Sequence, residues 1–299
     1  MPPSRTRESL RLLAAGRLAA AGALAAVLAL SPPVHAHVAL DRQIADLDAR
    51  IAAHPADATL YLKRGEVHRS RSDWKAADDD YRRAHELDPA LEAADFHLGR
   101  MLVEAGRPAE GIPSLDRFLA KHPDHPGALA VRARARARLG RNLEAAEDYS
   151  RAIAQHGPQR PADPDLYIER ARALAEAPEP RLAEALGGLE DGMAVLGPLV
   201  SLGLYAIDLE ARLRRFDAAL VRIERLATLS PRKESYLVKR GSILEAAGRP
   251  DEARRAYALA LEAIASLPEG RRAARAVDDL AARARAGLAR AHRTPGAAP

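Results

Sequence analysis

The chain has 299 residues, 46 Lys and Arg against 41 Asp and Glu, a formal net charge of +5, and no cysteine. Sixty-seven alanines and 41 leucines favour helix, and the few aromatics (Phe 3, Trp 1, Tyr 7) argue against a β-sandwich or barrel. The lack of cysteine excludes disulfides, thiolate metal sites, iron–sulfur clusters and cysteine nucleophiles.

The N-terminus reads as a secretory signal peptide over residues 1–36. Arg5, Arg7, Arg11 and Arg17 precede the apolar run LAAAGALAAVLAL, the helix-breaking Ser31-Pro32-Pro33 and the small-residue site Val34-His35-Ala36. Cleavage is expected after Ala36; retention as an N-terminal membrane anchor is the alternative. The run is short of the roughly 20 apolar residues that span a bilayer, so no membrane span is expected after cleavage. No cysteine follows it for lipid attachment, and no Arg-Arg pair precedes it. Removing four arginines and one glutamate leaves 42 basic and 40 acidic side chains, a net +2. That balance argues against a nucleic-acid partner.

Residues 37–57 form a predicted capping helix with Leu40, Ile44, Leu47 and Ile51 on one stripe, ending at Pro55. Beyond it the chain repeats. Pro55, Pro89 and Pro123 lie 34 apart, as do Gly65, Gly99 and Ala133, then Ala77, Gly111 and Ala145, and Tyr81, Leu115 and Tyr149. Each unit reads as an apolar helix A, a short turn, an apolar helix B and a terminating proline. Small columns let the helices approach, and the large column fills the space between them.

These columns resemble the tetratricopeptide repeat family. The resemblance implies an all-α fold, an α-α superhelical solenoid of helix-turn-helix repeats, following the signal peptide. Six repeats span 58–267. Repeat 1 (58–91) supplies Tyr61, Gly65, Ala77, Tyr81, Ala84 and Pro89, with Trp74 at its A–B turn. Repeat 2 (92–125) supplies Gly99, Gly111, Leu115 and Pro123; Phe118 departs from its second small position. Repeat 3 (126–163) supplies Leu129, Ala133, Ala145, Tyr149 and Ala152, with a longer exit loop. Repeat 4 (164–199) supplies Tyr167, Ala171, Ala185 and Leu189; its turn is longer, and Gly187, Gly188 and Gly192 weaken its helix B. Repeat 5 (200–233) is degenerate: Phe216, Ala219 and Pro231 fit, but Ile207 replaces a small residue. Repeat 6 (234–267) restores the pattern with Leu237, Gly241, Ala253, Tyr257 and Ala260. A C-terminal capping helix is expected over 268–292, its apolar stripe Ala276, Leu280 and Leu288, followed by a disordered tail, 293–299.

The resemblance also implies that helix A lines a concave groove. There Arg100, Arg134 and Arg172 occupy equal positions, with Arg138 one turn beyond Arg134 and Arg69 on the same face of repeat 1. Such a ladder suits an acidic segment or a C-terminal carboxylate of a protein or peptide partner. The competing reading is a set of solvated intrahelical pairs, Arg100 with Glu104 and Arg172 with Glu176, which leaves Arg134 and Arg138 as the stronger candidates. Family members that clamp chaperone C-termini use Lys and Asn where repeat 1 has Leu62 and Glu66. Asp78, Asp79 and Asp80 read as a solvated face, and His122 and His125 as a polar turn rather than metal ligands. No phosphate loop, serine elbow or HExxH motif is present. The chain therefore reads as a non-enzymatic interaction scaffold, periplasmic or secreted, with no cofactor and no metal. The alternatives are a self-assembling structural envelope component, a metal carrier or an enzyme accessory subunit.

Overall fold

The computed structural model describes residues 32–157, 159–272 and 274–293, with side chains from 39 to 291. Among them it holds fifteen α-helices and no β-strand. The first, α1 (Pro32–Ala53), precedes six A–B hairpins: α2 (Ala58–Ser70) with α3 (Trp74–Leu87), α4 (Glu92–Glu104) with α5 (Pro108–Lys121), and α6 (Pro126–Arg138) with α7 (Asn142–Ala154). Then follow α8 (Pro164–Ala175) with α9 (Leu182–Leu196), α10 (Val200–Arg212) with α11 (Phe216–Thr228), and α12 (Glu234–Ala246) with α13 (Pro250–Ala265). The chain closes with α14 (Glu269–Arg272) and α15 (Arg275–Arg293). Most of the expected signal segment and the tail 294–299 lie outside the described residues. Pro32 and Pro33 are the first residues of α1, where the missing N–H of proline costs least.

The helices fall into two compact units divided between Phe118 and Leu119, inside α5. In the first unit α1 packs on α2, α2 on α3, and α3 on α4. In the second, each helix from α6 to α13 packs on the next, and α15 covers α12 and α13. The A helices also touch side by side, α6 to α8 and α8 to α10, as stacked hairpins require.

The small and large columns account for this packing. Ala77, Ala84, Ala133, Ala145, Ala152, Ala171, Ala219 and Ala253 are buried, as are Tyr81, Tyr149 and Tyr257. A Cβ at Gly65 would sit 2.7 Å from the Tyr81 ring, and one at Gly241 2.6 Å from the Tyr257 ring. One at Gly99 would sit 2.6 Å from Leu115. Pro55, Pro89, Pro123 and Pro231 lie in the turns after helices. Tyr61 reaches back across the first of these turns and donates to the Pro55 carbonyl at 3.2 Å.

Three features differ from the sequence expectation. Gly192 does more than weaken α9: a Cβ there would meet the Tyr167 ring at 2.8 Å, so it is repeat 4's second small position. In repeat 5 the same pair is inverted, with Gly203 on helix A facing Leu226 on helix B; the degenerate hairpin keeps its volume by exchanging large and small. At the C-terminus the stripe shifts by one residue. Ala276 is exposed, while Val277, Leu280, Ala281, Ala284 and Ala291 face the core, and Gly287 makes room for Tyr257.

Candidate functional site

In the first unit the expected binding arginines are consumed by the protein's own acids. Glu66, near the end of α2, is the hub. Its carboxylate accepts from Tyr81 Oη and, at 2.6 Å, from Arg100. His97 Nδ1 lies 2.7 Å away, and Arg69 adds longer contacts at 3.4 Å. Burial works to raise the Glu66 carboxyl, but the hydrogen bonds from His97, Tyr81 and Arg100, with the His97 charge, outweigh it and hold the group well below its ordinary value. Arg69 also donates to Glu104 at 2.8 Å. Arg100 therefore pairs with Glu66 in the preceding repeat, not with Glu104 in its own helix. It also lies 5.4 Å from the Phe96 ring centroid. Both Arg69 and Arg100 are half-buried, which removes them as free carboxylate ligands.

The second unit arranges the same elements differently. Helix α6 reads PGALAVRARARAR, with an arginine at every second position from Arg132 to Arg138. Residues four apart share a helix face, so the four arginines sort into two pairs. Arg132 donates to Asp148 at 2.7 and 2.8 Å, and Arg136 adds a bond at 2.7 Å. Asp148 is only 2 % exposed. Arg134 and Arg138 are exposed, and no carboxylate pairs with Arg134 among the described residues. Arg172 on α8 is exposed and pairs with Glu169 at 3.0 Å, not with Glu176. These three arginines act together on the Tyr149 hydroxyl. Burial pushes its hydroxyl up to about 12; Glu169 adds to this, while Arg134, Arg172 and Arg138 act against it.

Sequence reasoning missed the buried acids. Asp78 and Asp80 do not form a solvated face. Asp80 is held by Arg64 at 2.6 and 2.9 Å, and Asp78 by Arg107 at 3.0 Å; only Asp79 is exposed. Arg64–Asp80 and Arg132–Asp148 share a separation of 16 residues, which was the legible signal: one helical hairpin brings those registers face to face. Asp95 with Arg117 and Glu210 with Arg222 are further buried acids held by an arginine. His125 is a helix cap, accepting the Ala128 N–H at 3.0 Å. No group of three or more His, Asp or Glu gathers as metal ligands among the described residues, and no described helix is long and apolar enough to cross a membrane.

Comparison with known proteins agrees with the helical-repeat fold. The tetratricopeptide repeat model matches residues 96–164 and 206–268. A tetratricopeptide repeat protein from Parabacteroides merdae superposes with a TM-score of 0.52, covering 82 % of this chain and 92 % of its own at 16 % identity. Both matched segments are tetratricopeptide repeats. PilW, a widely conserved type IV pilus biogenesis factor, shares the tetratricopeptide-repeat fold with a TM-score of 0.51 and 20 % identity, over 62 % of this chain and 83 % of PilW. Protein O-mannosyl-transferase Tmtc3 of Drosophila melanogaster is 24 % identical over 136 residues. That stretch is 44 % of this tetratricopeptide-repeat chain and 15 % of the fly protein.

Proposed function

We propose that this tetratricopeptide-repeat protein is an exported, non-enzymatic scaffold that docks an acidic protein segment on the A-helix face of its second unit. The observation that carries this reading is the division of the α6 arginines. Arg132 and Arg136 neutralise a buried aspartate, while Arg134 and Arg138 extend exposed positive charge beside Arg172. An arginine face of this kind recognises carboxylates by paired hydrogen bonds. Export rests on the N-terminal signal pattern, with cleavage after Ala36 leaving residues 37–53 of α1 as the cap. In this reading Arg69 and Arg100 are structural.

The test is crosslinking and mass spectrometry on envelope fractions carrying the wild type or Arg134→Glu/Arg138→Glu. The variant should lose the partners that the wild type captures; recovery of every partner at the wild-type level overturns the reading. Fractionation of the tagged chain checks export, since a product found only in the cytoplasm at full length contradicts it.

A second reading, self-association, is favoured by Val195, Val200, Val221 and Leu229, which are between 39 % and 56 % exposed on repeats 4 and 5. A concentration-independent monomer in light scattering removes it.

A further inference from the structure

We infer that Tyr149, together with Arg134 and Arg172, forms an anchor for a single glutamate side chain of the docked partner. The inference rests on the docking face proposed above and comes from comparing the three hairpins whose helix B carries a buried tyrosine. In repeat 1, Tyr81 donates to Glu66, 15 residues before it, and Arg100 of the next hairpin grips the same carboxylate. In repeat 6, Tyr257 donates to Glu245, 12 residues before it, at 2.9 Å, and Arg290 of the capping helix grips that carboxylate at 2.7 and 3.0 Å. Two hairpins thus share one device: a tyrosine hydroxyl and a neighbouring arginine closing on a glutamate.

Repeat 3 keeps the donors and changes the acid. The residue 15 before Tyr149 is Arg134, and the residue 12 before it is Ala137. Arg172 stands where repeat 2 has Arg100. The Tyr149 hydroxyl is buried and has no hydrogen-bond partner among the described residues. Leaving a buried hydroxyl unsatisfied is costly. Arg134, Arg138 and Arg172 act on it, opposed by Glu169. Glu169 already holds Arg172 at 3.0 Å. A carboxylate accepting from Tyr149 and Arg134 would complete the pattern of repeats 1 and 6 and would compete with Glu169 for Arg172. The occupant is a glutamate side chain because that is the group the protein itself supplies at both other tyrosines.

The experiment is an NMR titration of the purified protein labelled at the tyrosine ring carbons, the Tyr149 signal being assigned by its loss in Tyr149→Phe. Three capped or uncapped peptides serve as probes: acetyl-Gly-Glu-Glu-Glu-Gly-amide, its Gln counterpart, and the Gln peptide with a free C-terminus. The Glu peptide should shift the Tyr149 signal, and the Gln amide should not. Tyr149→Phe and Arg134→Gln should each weaken binding about tenfold, as expected for a charge-assisted hydrogen bond. Glu169→Gln, which removes the competing carboxylate, should tighten binding several-fold.

A Glu peptide that leaves Tyr149 unmoved, or that binds Tyr149→Phe as tightly as the wild type, overturns the anchor. An equal response to the free C-terminus overturns the assignment to a side chain. A marked loss of stability in ligand-free Tyr149→Phe also overturns it, because the hydroxyl would then be satisfied within the protein. The two readings fail separately. Partner capture that ignores Arg134→Glu/Arg138→Glu removes the docking face. Capture that needs those arginines but is indifferent to Tyr149→Phe removes only the anchor.

Discussion

In repeat 1 the buried tyrosine of helix B meets a glutamate 15 residues earlier in the chain, and in repeat 3 the same register holds Arg134. The hairpin frames match closely: buried Ala77 and Ala84 against buried Ala145 and Ala152, and Arg64–Asp80 against Arg132–Asp148. One charge reversal changes what the face can do. With Glu66 in place, Arg69, His97 and Arg100 turn inward onto its carboxylate. With Arg134 in place, the arginines remain exposed and the tyrosine hydroxyl goes unpaired. Packing columns and surface charge are therefore set by different residues of the same helix, and either can vary without the other.

The largest test of that separation is Asp148→Asn. It leaves Arg132 and Arg136 without their buried counter-charge and should cost about 3 kcal/mol in urea unfolding followed by circular dichroism. Because Arg134 and Arg138 lie on the other face of α6, the cost should be in stability, with partner capture by the folded variant unchanged. A variant as stable as the wild type would show that the paired arginines are dispensable.

Glu66→Gln is next, at about 2 kcal/mol, for it removes the charge that holds Arg100 and Arg69. Trp74, the single tryptophan, packs against the Tyr81 core and reports on this hairpin by fluorescence. The pH dependence has a definite sign. The folded-state value of Glu66 lies below its ordinary 4.5, so its contribution is complete above that pH and fades as pH falls toward the folded value. The wild-type urea midpoint should drop more steeply than that of Glu66→Gln between pH 5 and 3; parallel curves would remove Glu66 as the cause.

The fold was legible because it is written in volume. Thirty-four-residue columns of small and large residues state which helices approach, and the structure fills them as steric fit demands. The polar face was only partly legible. Arg100 and Arg172 each have an acid four residues ahead, yet each takes a different one, since neighbouring hairpins and an i+3 register offer better geometry. The sequence does not show which turn of helix faces another hairpin, so Asp80 and Asp148 look like ordinary surface acids until the 16-residue register is recognised. Gly192 misled for the same reason: it is a packing residue whose large counterpart, Tyr167, lies on a different helix.

The tyrosines give a sharper contrast at smaller energy. Tyr81→Phe removes a hydrogen bond to a charged carboxylate and should cost about 1.5 kcal/mol. Tyr149→Phe removes a hydroxyl with no partner among the described residues and should change stability by less than about 0.5 kcal/mol, or raise it. Equal losses in the two variants would erase the distinction between the repeats.

The smallest effects lie in the A–B turns, where the same two repeats differ in backbone rather than charge. Ser72 sits at φ 62° and Gly140, its counterpart in repeat 3, at φ 75°, both in the left-handed region. Nothing lies within 4 Å of a Cβ at Gly140, so Gly140→Ala tests backbone conformation alone and should cost about 1 kcal/mol. Ser72→Gly should gain about 0.5 kcal/mol: relief of the left-handed strain is offset in part by the greater freedom of glycine in the unfolded chain. Read by Trp74 fluorescence, that gain should be the same in the Glu66→Gln background, because Ser72 meets the cluster through the backbone bond from its N–H to the Arg69 carbonyl at 2.9 Å, which glycine keeps. A gain that vanishes there would mean that the turn strain is held by the Glu66 cluster, and that packing and polar chemistry in repeat 1 are coupled after all.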